Sequence, residues 1–274
     1  MSTKLTSAIA HANGAIGQAG DDVRPDMPIP LSLPSQRFPV PRVSVIVPTL
    51  NEARNLPHVL PRVPGWVHEI ILVDGHSTDG TVDVARRLHP DVRVVAEPRR
   101  GKGAALRAGF DAAEGDIIVT LDADASADPA EIVAFVGALL AGADFVKGSR
   151  FVQGAGTTDM ETYRRLGNWV LTCAVRMAFG GRYTDLCYGF NAFWADALPK
   201  IMPDCDGFEI ETQLNVRALR ARLNIVEIAS FELPRVAGSS KLNTVRDGVR
   251  VLRTIVRERF ARRLDDQRTR RANR

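Results

Sequence analysis

The chain has 274 residues, of which 45% are hydrophobic and 25% are charged, and its formal net charge at pH 7 is +4. This length and composition exclude a fibrous protein and a wholly disordered chain, and they favour one large α/β domain. The three cysteines, Cys173, Cys187 and Cys205, are odd in number and far apart. This spacing excludes a disulfide framework and a CxxC metal site, and it favours a reducing, cytoplasmic setting.

The first 40 residues combine small polar residues, glycines and prolines without a sustained period, and we interpret them as a flexible N-terminal extension. They lack the charged-then-apolar pattern of a secretion signal, and no run in the chain reaches about 18 apolar residues. We therefore expect a cytoplasmic protein that is at most peripheral at the cytoplasmic face of a membrane.

From Val43 onward, short β-branched runs alternate with helical stretches. The runs are VSVIV, EIILV, VRVVA, DIIVTL and ADFVKG, and between them lie NEARNLPHVLPRV, TDGTVDVARRLH, GKGAALRAGFDAAEG and DPAEIVAFVGALLAG. This alternation predicts an α/β fold in which helices flank both faces of a mostly parallel, Rossmann-like sheet. Ligands of such sheets bind beyond the carboxyl ends of the strands, so PTLNE, DGHSTDGT and DADAS are expected along one rim.

The chain after Arg150 is less regular. Its pattern predicts helices over residues 163–179 and 209–222, a strand in NIVEIASFEL, and a final helix over residues 244–262. The final helix carries an apolar face made of Val245, Val249, Leu252, Ile255, Val256 and Phe260. The other side carries Arg246, Arg250, Arg253 and Arg257. A basic amphipathic helix of this kind either docks on a membrane surface or closes the core of its own domain.

The charge of the chain is concentrated at its C-terminal end. Residues 246–274 contain 11 arginines and four acidic residues, which leaves the rest of the chain slightly acidic. A C-terminal amphipathic helix with a basic tail, residues 244–274, indicates either anionic partners such as lipid headgroups or a solvated tail. Nucleic acid is not expected as a partner, because no base-stacking aromatics beyond Phe260 are interleaved with these arginines.

Two aspartates end a buried strand in IIVTLDADAS. If the segment stays extended, Asp122 and Asp124 project to the same side, where a divalent cation relieves their mutual repulsion. Mg²⁺ and Mn²⁺ favour oxygen ligands, and Mg²⁺ is commonly held by one or two carboxylates together with substrate phosphates. The pair therefore predicts a metal site and a diphosphate-bearing substrate. The alternative is a helix N-cap and turn before the helix that starts near Asp128.

Five motifs follow one another along the chain: VSVIVPTLNEARNL, ILVDGHSTDGT, RRGKGAALRAGFDAAEGD, LDAD and VKGSRF. This series resembles the family 2 glycosyltransferases of the GT-A fold, over residues 43–242. The later segments RRLGN, TDLCYGFNAF, GFEIETQL and PRVAGSSKL are similar to the dolichol- and polyprenyl-phosphate mannosyltransferase branch. The resemblance implies a catalytic domain over residues 41–243. It also implies metal-dependent, inverting transfer of a hexose from GDP-mannose or UDP-glucose to a polyprenyl phosphate.

By this resemblance, the nucleotide-sugar pocket is formed by residues that follow the strands and by the lysine of RRGKG. These residues are Pro48, Asn51, Glu52, Asp74, Lys102 and Asp122. Asp122 and Asp124 would bind the metal, Mg²⁺ or Mn²⁺, and Asp124 counts among the catalytic residues. The two glycines of RRGKG are interpreted as allowing the backbone to approach a ligand closely. Family members usually carry aspartate and glycine where this chain has Gly75 and His76, so the donor base, uracil or guanine, stays open.

The resemblance further implies a site for the acceptor phosphate. Its members are Arg150, Arg164, Asn168, Arg235, Ser240 and Lys241. A lipid phosphate is ionised near neutral pH, so it needs no general base, but it does need positively charged side chains that hold it in place. Arginines suit a phosphate group. In this interpretation Arg150 and Asp185 are also catalytic, and Asp185 orients an arginine or the donor sugar.

Three alternatives remain open at this point. If the acceptor is a hydroxyl of a soluble or cell-wall molecule, a carboxylate base must reach it, and Asp185, Glu209 and Glu211 are the candidates. A nucleotidyltransferase also uses strand-end aspartates and Mg²⁺, but it normally needs a glycine-rich loop after the first strand, and PTLNEARNL has no glycine. A non-catalytic binding protein would keep the nucleotide pocket without turnover.

Overall fold

The computed structural model describes residues 40–158, 160–239 and 242–272, with side chains up to residue 261. The expected N-terminal extension, residues 1–40, lies outside the described residues except for Val40. The domain boundaries at residues 41 and 243 therefore stay a prediction. Ser240 and Lys241, expected at the acceptor phosphate, also lie outside the described residues.

Nine strands occur in the described residues: β1 (Val43–Thr49), β2 (Glu69–Asp74), β3 (Arg93–Ala96), β4 (Ile117–Thr120), β5 (Phe145–Ser149), β6 (Gly156–Thr157), β7 (Asn191–Trp194), β8 (Ile225–Ala229) and β9 (Phe231–Glu232). Seven of them form one sheet in the order β3-β2-β1-β4-β7-β5-β8, while β6 and β9 form a separate parallel pair. Within the large sheet β7 alone runs antiparallel to its neighbours, β4 and β5. The predicted, mostly parallel sheet is confirmed.

The helices of the described residues are α1 (Leu56–Val59), α2 (Thr81–Leu88), α3 (Lys102–Ala112), α4 (Ile132–Leu140), α5 (Thr162–Phe179), α6 (Leu198–Ile201), α7 (Ile210–Arg220) and α8 (Thr244–Ala272). The helix expected in NEARNLPHVLPRV is reduced to α1 and a 3₁₀ turn over Leu60–Arg62. Pro57 and Pro61 explain this, because a proline is tolerated only in the first turn of a helix. The strand expected in NIVEIASFEL is divided into β8 and β9.

Two apolar layers lie on opposite faces of the large sheet. Val45 and Val47 of β1 belong to the layer beside α4, whereas Ile46 between them belongs to the layer beside α3 and α7. All three are fully buried, as expected for central strands covered by helices on both sides. A third cluster, which includes Val175 and Ile255, joins α5, α7 and α8.

The buried face of α8 differs from the predicted apolar face. Of the six predicted side chains only Ile255 is buried, while Val245, Val249, Leu252, Val256 and Phe260 are exposed. The buried side chains of α8 are instead Asp247, Val251, Thr254, Ile255 and Glu258, which recur at helical spacing. The reason is that Glu258 accepts hydrogen bonds from Arg217 and Arg220 of α7, so a charged side chain is satisfied inside the protein. No helix in the described part of the chain is long and apolar enough to cross a membrane.

Candidate active site

The loops after β1 and β2 form one hydrogen-bonded unit at the rim of the sheet. The backbone N–H of Asn51 donates to Ser77 Oγ at 2.8 Å, and its side-chain Oδ1 accepts from the N–H of Thr78 at 2.8 Å. The N–H of Glu52 donates to Thr81 Oγ1 at 2.9 Å, in the first turn of α2. Asn51 has a φ of 57°, a left-handed conformation that asparagine adopts more readily than most residues. Its side chain therefore braces the two loops against each other.

Pro48 and Asp74 lie beside this unit, at the carboxyl ends of β1 and β2. Asp74 is buried, and its Oδ2 accepts from the N–H of Ser77 at 3.0 Å. Pro48 is in register with Val73 of β2. The structure thus brings Pro48, Asn51, Glu52 and Asp74 to one rim of the sheet, where parallel sheets bind ligands.

The Asp-Ala-Asp segment is not extended, because Ala123 and Asp124 lie in a turn, so the condition under which both carboxylates would project to one side is not met. The strand β4 ends at Thr120, and Ala125 has a φ of 64° in the turn that follows. Asp122 Oδ1 lies 2.5 Å from Lys102 Nζ, whereas Asp124 Oδ2 accepts from Arg235 Nη2 at 2.8 Å. The two carboxylates therefore contact cations from separate parts of the chain.

Lys102 joins Asp122 to a third carboxylate. Its Nζ lies 2.5 Å from Asp122 Oδ1 and 2.6 Å from Glu211 Oε1 of α7. Burial lowers the pKa of Lys102, but the charges of the two carboxylates outweigh this effect and hold its pKa well above the ordinary value. Lys102 therefore stays protonated and holds Asp122 in place at the rim.

The two glycines of RRGKG were expected to let the backbone approach a ligand, but in the structure they let two segments of the chain pack closely. A Cβ atom at Gly101 would collide with the carbonyl oxygen of Asp206, and one at Gly103 would collide with the carbonyl of Cys205. The N–H groups of Gly103 and Ala104 donate to the oxygen of Asp206 at 2.8 and 3.2 Å. The start of α3 is therefore pressed against the segment that precedes α7, and this contact places Lys102 beside Glu211.

The residues at the rim fit a divalent cation only in part. In the described residues no three or more His, Cys, Asp or Glu side chains are grouped so that they could hold a metal ion. Asp122 and Asp124 do offer carboxylate oxygens, which Mg²⁺ and Mn²⁺ prefer, and both already attract positive charge. The pair suits an ion that takes further ligands from a diphosphate. Of the alternative roles, the helix cap belongs to Asp128, whose Oδ1 accepts from the N–H of Ala130 at 3.0 Å, whereas Asp124 takes part in the turn, since its Oδ1 accepts from the N–H of Ser126 at 3.0 Å.

Arg150 and Asp185 form a buried ion pair. Arg150 Nε donates to Asp185 Oδ2 at 2.7 Å and Nη2 donates to Oδ1 at 3.0 Å, while Nη1 donates to Glu232 Oε1 at 2.9 Å. Burial raises the pKa of Asp185, but the charge and hydrogen bonds of Arg150 outweigh burial and lower it. The guanidinium is thus occupied by two carboxylates, and Arg150 does not line the cavity that contains Arg164 and Arg235.

That cavity, of about 370 Å³, lies between the start of α5, the start of α8 and the segment 233–239, which we call the strap. It is lined by Glu161, Tyr163, Arg164, Arg235, Gly238, Ser239, Leu242 and Thr244. Asn168 stands one helical turn after Arg164. Its Oδ1 accepts from the N–H groups of Leu186 and Cys187, whereas its buried Nδ2 has no hydrogen-bond partner among the described residues. The structure therefore brings together Arg164 and Arg235, two of the residues expected at the acceptor phosphate.

The three candidate bases differ in their surroundings. Asp185 is paired with Arg150, and Glu211 is paired with Lys102. Glu209 Oε2 is buried and has no hydrogen-bond partner among the described residues. A carboxylate that is held by a cation is a poor proton acceptor, so Glu209 is the candidate least encumbered by its neighbours.

Sequence reasoning missed two polar residues at the site. Glu232, in β9, accepts from Arg150 and from Thr157 Oγ1 at 2.6 Å. Asn55, in NEARNL, bonds to the strap with its side-chain amide. The sequence signal at Asn55 indicated a different role, because asparagine is a preferred N-cap residue and α1 begins directly after it, yet its side chain makes no cap bond. No comparable signal was present for Glu232.

Known proteins resemble this chain in sequence. The family model described as glycosyl transferase family 2 matches residues 44–201. The undecaprenyl-phosphate mannosyltransferase of Micrococcus luteus is 33% identical over 214 residues, which cover 74% of this chain and 88% of that protein. The polyprenol monophosphomannose synthase of Mycolicibacterium smegmatis is 36% identical over 228 residues, which cover 77% and 84%.

The fold also has counterparts among solved structures. The crystal structure of glucosyl-3-phosphoglycerate synthase from Mycobacterium tuberculosis, in complex with Mn²⁺, UDP and glucosyl-3-phosphoglycerate, superposes with a TM-score of 0.63. The two sequences are 25% identical, and the match covers 80% of each chain. The same enzyme has been crystallised with Mg²⁺ and UDP.

Proposed function

The chain belongs to glycosyl transferase family 2, and on that basis we propose that it transfers a hexose from a sugar nucleotide to a polyprenyl phosphate. The proposed reaction is a single displacement that inverts the anomeric carbon. One observation carries the proposal: the cavity lined by Arg164 and Arg235 adjoins the aspartate pair, because Arg235 also bonds to Asp124. An anionic acceptor in that cavity would lie next to the donor's diphosphate.

The chemistry of the cavity suits a phosphate acceptor. A phosphate monoester is ionised near neutral pH, so it can attack without a base, and two arginines can hold its oxygens. Asn168 Nδ2 offers a further donor one turn along α5. We assign Ser240 and Lys241 to the same site because they directly follow the strap. Arg150 would contribute to the acceptor site only indirectly, because its guanidinium holds the carboxylates of Asp185 and Glu232.

The donor is assigned to the rim formed by Pro48, Asn51, Glu52, Asp74 and Lys102. Asp122 and Asp124 would hold Mg²⁺ or Mn²⁺, which, when bound, neutralises the charge that develops on the leaving diphosphate. Lys102 keeps Asp122 oriented through their 2.5 Å ion pair. Glucosyl-3-phosphoglycerate synthase has been crystallised with Mn²⁺ and with Mg²⁺, which supports the use of either ion here.

A hydroxyl acceptor is the second candidate. Glucosyl-3-phosphoglycerate synthase, whose structure superposes on this chain, has been crystallised with phosphoglyceric acid. The arginine-lined cavity would also suit such a soluble anion, and Glu209, whose Oε2 has no partner among the described residues, could then accept the proton of the hydroxyl. This alternative requires a base, whereas the polyprenyl phosphate does not.

A lipid acceptor requires contact with a membrane, and we propose that this contact is peripheral, at the cytoplasmic face, and made through α8. The exposed apolar side chains Val245, Val249, Leu252, Val256 and Phe260 form a stripe along this helix, here called the α8 stripe. The exposed Arg246, Arg253 and Arg257 flank it. An apolar stripe beside cations fits the interface of an anionic lipid surface. The helix begins at Thr244, which lines the cavity.

The proposal is tested by supplying labelled GDP-mannose or UDP-glucose with Mn²⁺ and either polyprenyl phosphate or 3-phosphoglycerate. We expect label in the organic-soluble fraction with polyprenyl phosphate, and its loss in Asp124→Ala and Arg164→Ala. Arg176→Ala is the matched control, because Arg176 is an exposed arginine on the same helix that does not line the cavity. Label that enters only 3-phosphoglycerate, and is lost in Glu209→Gln, would favour the second candidate instead.

A further inference from the structure

One buried amide connects the donor side of the site to the strap. Asn55 is 2% exposed, and its Oδ1 accepts from the N–H of Ala237 at 2.8 Å while its Nδ2 donates to the oxygen of Ala237 at 3.1 Å. The same Nδ2 donates to Glu52 Oε2 at 2.6 Å. The backbone N–H of Ala237 can only donate, so the orientation of the amide is fixed by its partners.

The position of Asn55 suggests a different role from the one its side chain plays. It directly precedes α1, where an asparagine usually bonds to the first N–H groups of the helix, but its side chain makes no such bond. Instead, both polar ends of the amide are used on Ala237, 182 positions away in the chain. The side chain therefore serves the strap rather than the stability of a four-residue helix.

The strap is attached to the site at three points. The N–H of Leu233 donates to the oxygen of Ser126 at 2.8 Å, Arg235 bonds to Asp124 at 2.8 Å, and Ala237 bonds to Asn55. Arg235 Nη1 also lies 3.6 Å from Glu52 Oε1. Beyond Ala237, the strap turns at Gly238, which has a φ of 80° and lines the cavity.

We propose that Asn55 is a positioning residue for the acceptor: it fixes the strap so that Arg235, Gly238 and Ser239 keep their places in the cavity. The inference rests on the proposed function, since it assumes that the cavity receives the acceptor. A divalent ion at Asp124 would compete with Arg235 for that carboxylate, because both are attracted by the same charge. The bonds of Asn55 to Ala237 do not depend on that charge, so they hold the strap in either case.

The test compares Asn55→Asp with the wild type. Aspartate has the same shape and keeps one acceptor for the N–H of Ala237, but it presents a second oxygen to the oxygen of Ala237 and to Glu52. We expect the KM for the acceptor to rise about tenfold or more, because small displacements of a positioning group are costly. The dissociation constant for UDP or GDP with Mn²⁺ should rise less than the acceptor KM, because only one of the three hydrogen bonds of the amide is made to Glu52, whereas two hold Ala237. Asn224→Asp is the control, because Asn224 Nδ2 donates to the oxygen of Gly142 at 2.7 Å, away from the site.

Hydrogen exchange of the peptide that contains residues 233–239 provides a readout that needs no activity. We expect faster exchange in Asn55→Asp and in Asn55→Ala, and no change in Asn224→Asp. Unchanged exchange would overturn the inference, as would faster exchange with an unaltered acceptor KM, or a loss of nucleotide affinity as large as the rise in the acceptor KM. If the wild type uses 3-phosphoglycerate in place of polyprenyl phosphate, the lipid assignment fails while the same KM comparison, made with that acceptor, still decides the role of Asn55.

Discussion

The backbone of Gly189 lies directly against the side chain of Lys102. A Cβ atom at Gly189 would stand 2.6 Å from Lys102 Nζ and 2.7 Å from Asp122 Oδ2, closer than side-chain carbon atoms come to such groups. The carbonyl of Gly189 is held by Thr120 Oγ1 at 2.8 Å and by Asn191 Nδ2 at 3.1 Å, so this backbone cannot easily retreat. The absence of a side chain at residue 189 is therefore a condition for the ion pair at the rim.

Gly189→Ala should displace Lys102 or Asp122 and lower kcat by about tenfold or more, because the displaced carboxylate is one of the two proposed for the metal. The measurement is the steady-state rate of transfer with saturating donor and Mn²⁺. Gly137→Ala is the control, since a Cβ atom at this position in α4 meets nothing within 4 Å. That control should keep full activity and gain about 0.5–1 kcal/mol of stability. Full activity of Gly189→Ala would contradict the argument.

Asp185→Asn should reduce the free energy of unfolding by about 3 kcal/mol, because it leaves the buried Arg150 with only Glu232 as a charged partner. The measurement is urea denaturation at pH 7. Arg62→Ala is the comparison, since Arg62 and Asp128 lie 2.5 Å apart but their side chains are 53% and 33% exposed. Losing such a surface pair should cost about 1 kcal/mol or less. Equal losses in the two variants would show that burial does not govern the strength of these pairs.

Glu258 predicts a pH dependence of stability. Burial raises its pKa, but hydrogen bonds from Gln213, Arg217 and Arg220 and the charge of Arg217 outweigh burial and lower it. A carboxyl with a lowered folded-state pKa contributes stability above its unfolded pKa, about 4.3, and this contribution is lost as the pH falls toward the folded value. The stability difference between wild type and Glu258→Gln should therefore be largest at pH 7 and shrink below about pH 4.

Glu131 provides the opposite case. Its pKa is raised, chiefly by burial, so its protonated form is favoured in the folded protein. The stability of the wild type relative to Glu131→Gln should therefore increase as the pH falls. Urea denaturation of the wild type and both variants from pH 3 to pH 7 tests both signs. The same trend in the two variants would refute the assignment of these shifts to their local surroundings.

The sequence predicted the central strands and their common rim well, because β1, β2 and β4 are largely apolar runs and parallel topology dictates where they end. The turn at Ala125 was not predictable, since a left-handed alanine has no sequence signature. The buried face of α8 was missed for a related reason: periodicity treats Asp247 and Glu258 as solvent-facing, although Glu258 is satisfied inside the protein by arginines of α7. Contacts between segments that are distant in the sequence determine both of these features, and a local pattern does not show them.

The α8 stripe makes the membrane proposal testable without activity. Leu252 and Val256 are 48% and 46% exposed, so glutamates there should leave the melting temperature almost unchanged. Sedimentation with phosphatidylglycerol vesicles should fall strongly in Leu252→Glu/Val256→Glu, because the substitution removes apolar area and adds charge that the anionic surface repels. Phosphatidylcholine vesicles should bind the wild type more weakly.

Val133→Glu is the control for this experiment, since Val133 is a 56% exposed valine on α4, which packs against β5, β7 and β8. It should sediment with vesicles like the wild type, because a single charge on another helix leaves the α8 stripe intact. Equal sedimentation of all variants would exclude the α8 stripe as the contact. A lipid acceptor would then have to reach Arg164 and Arg235 by a different surface of the protein.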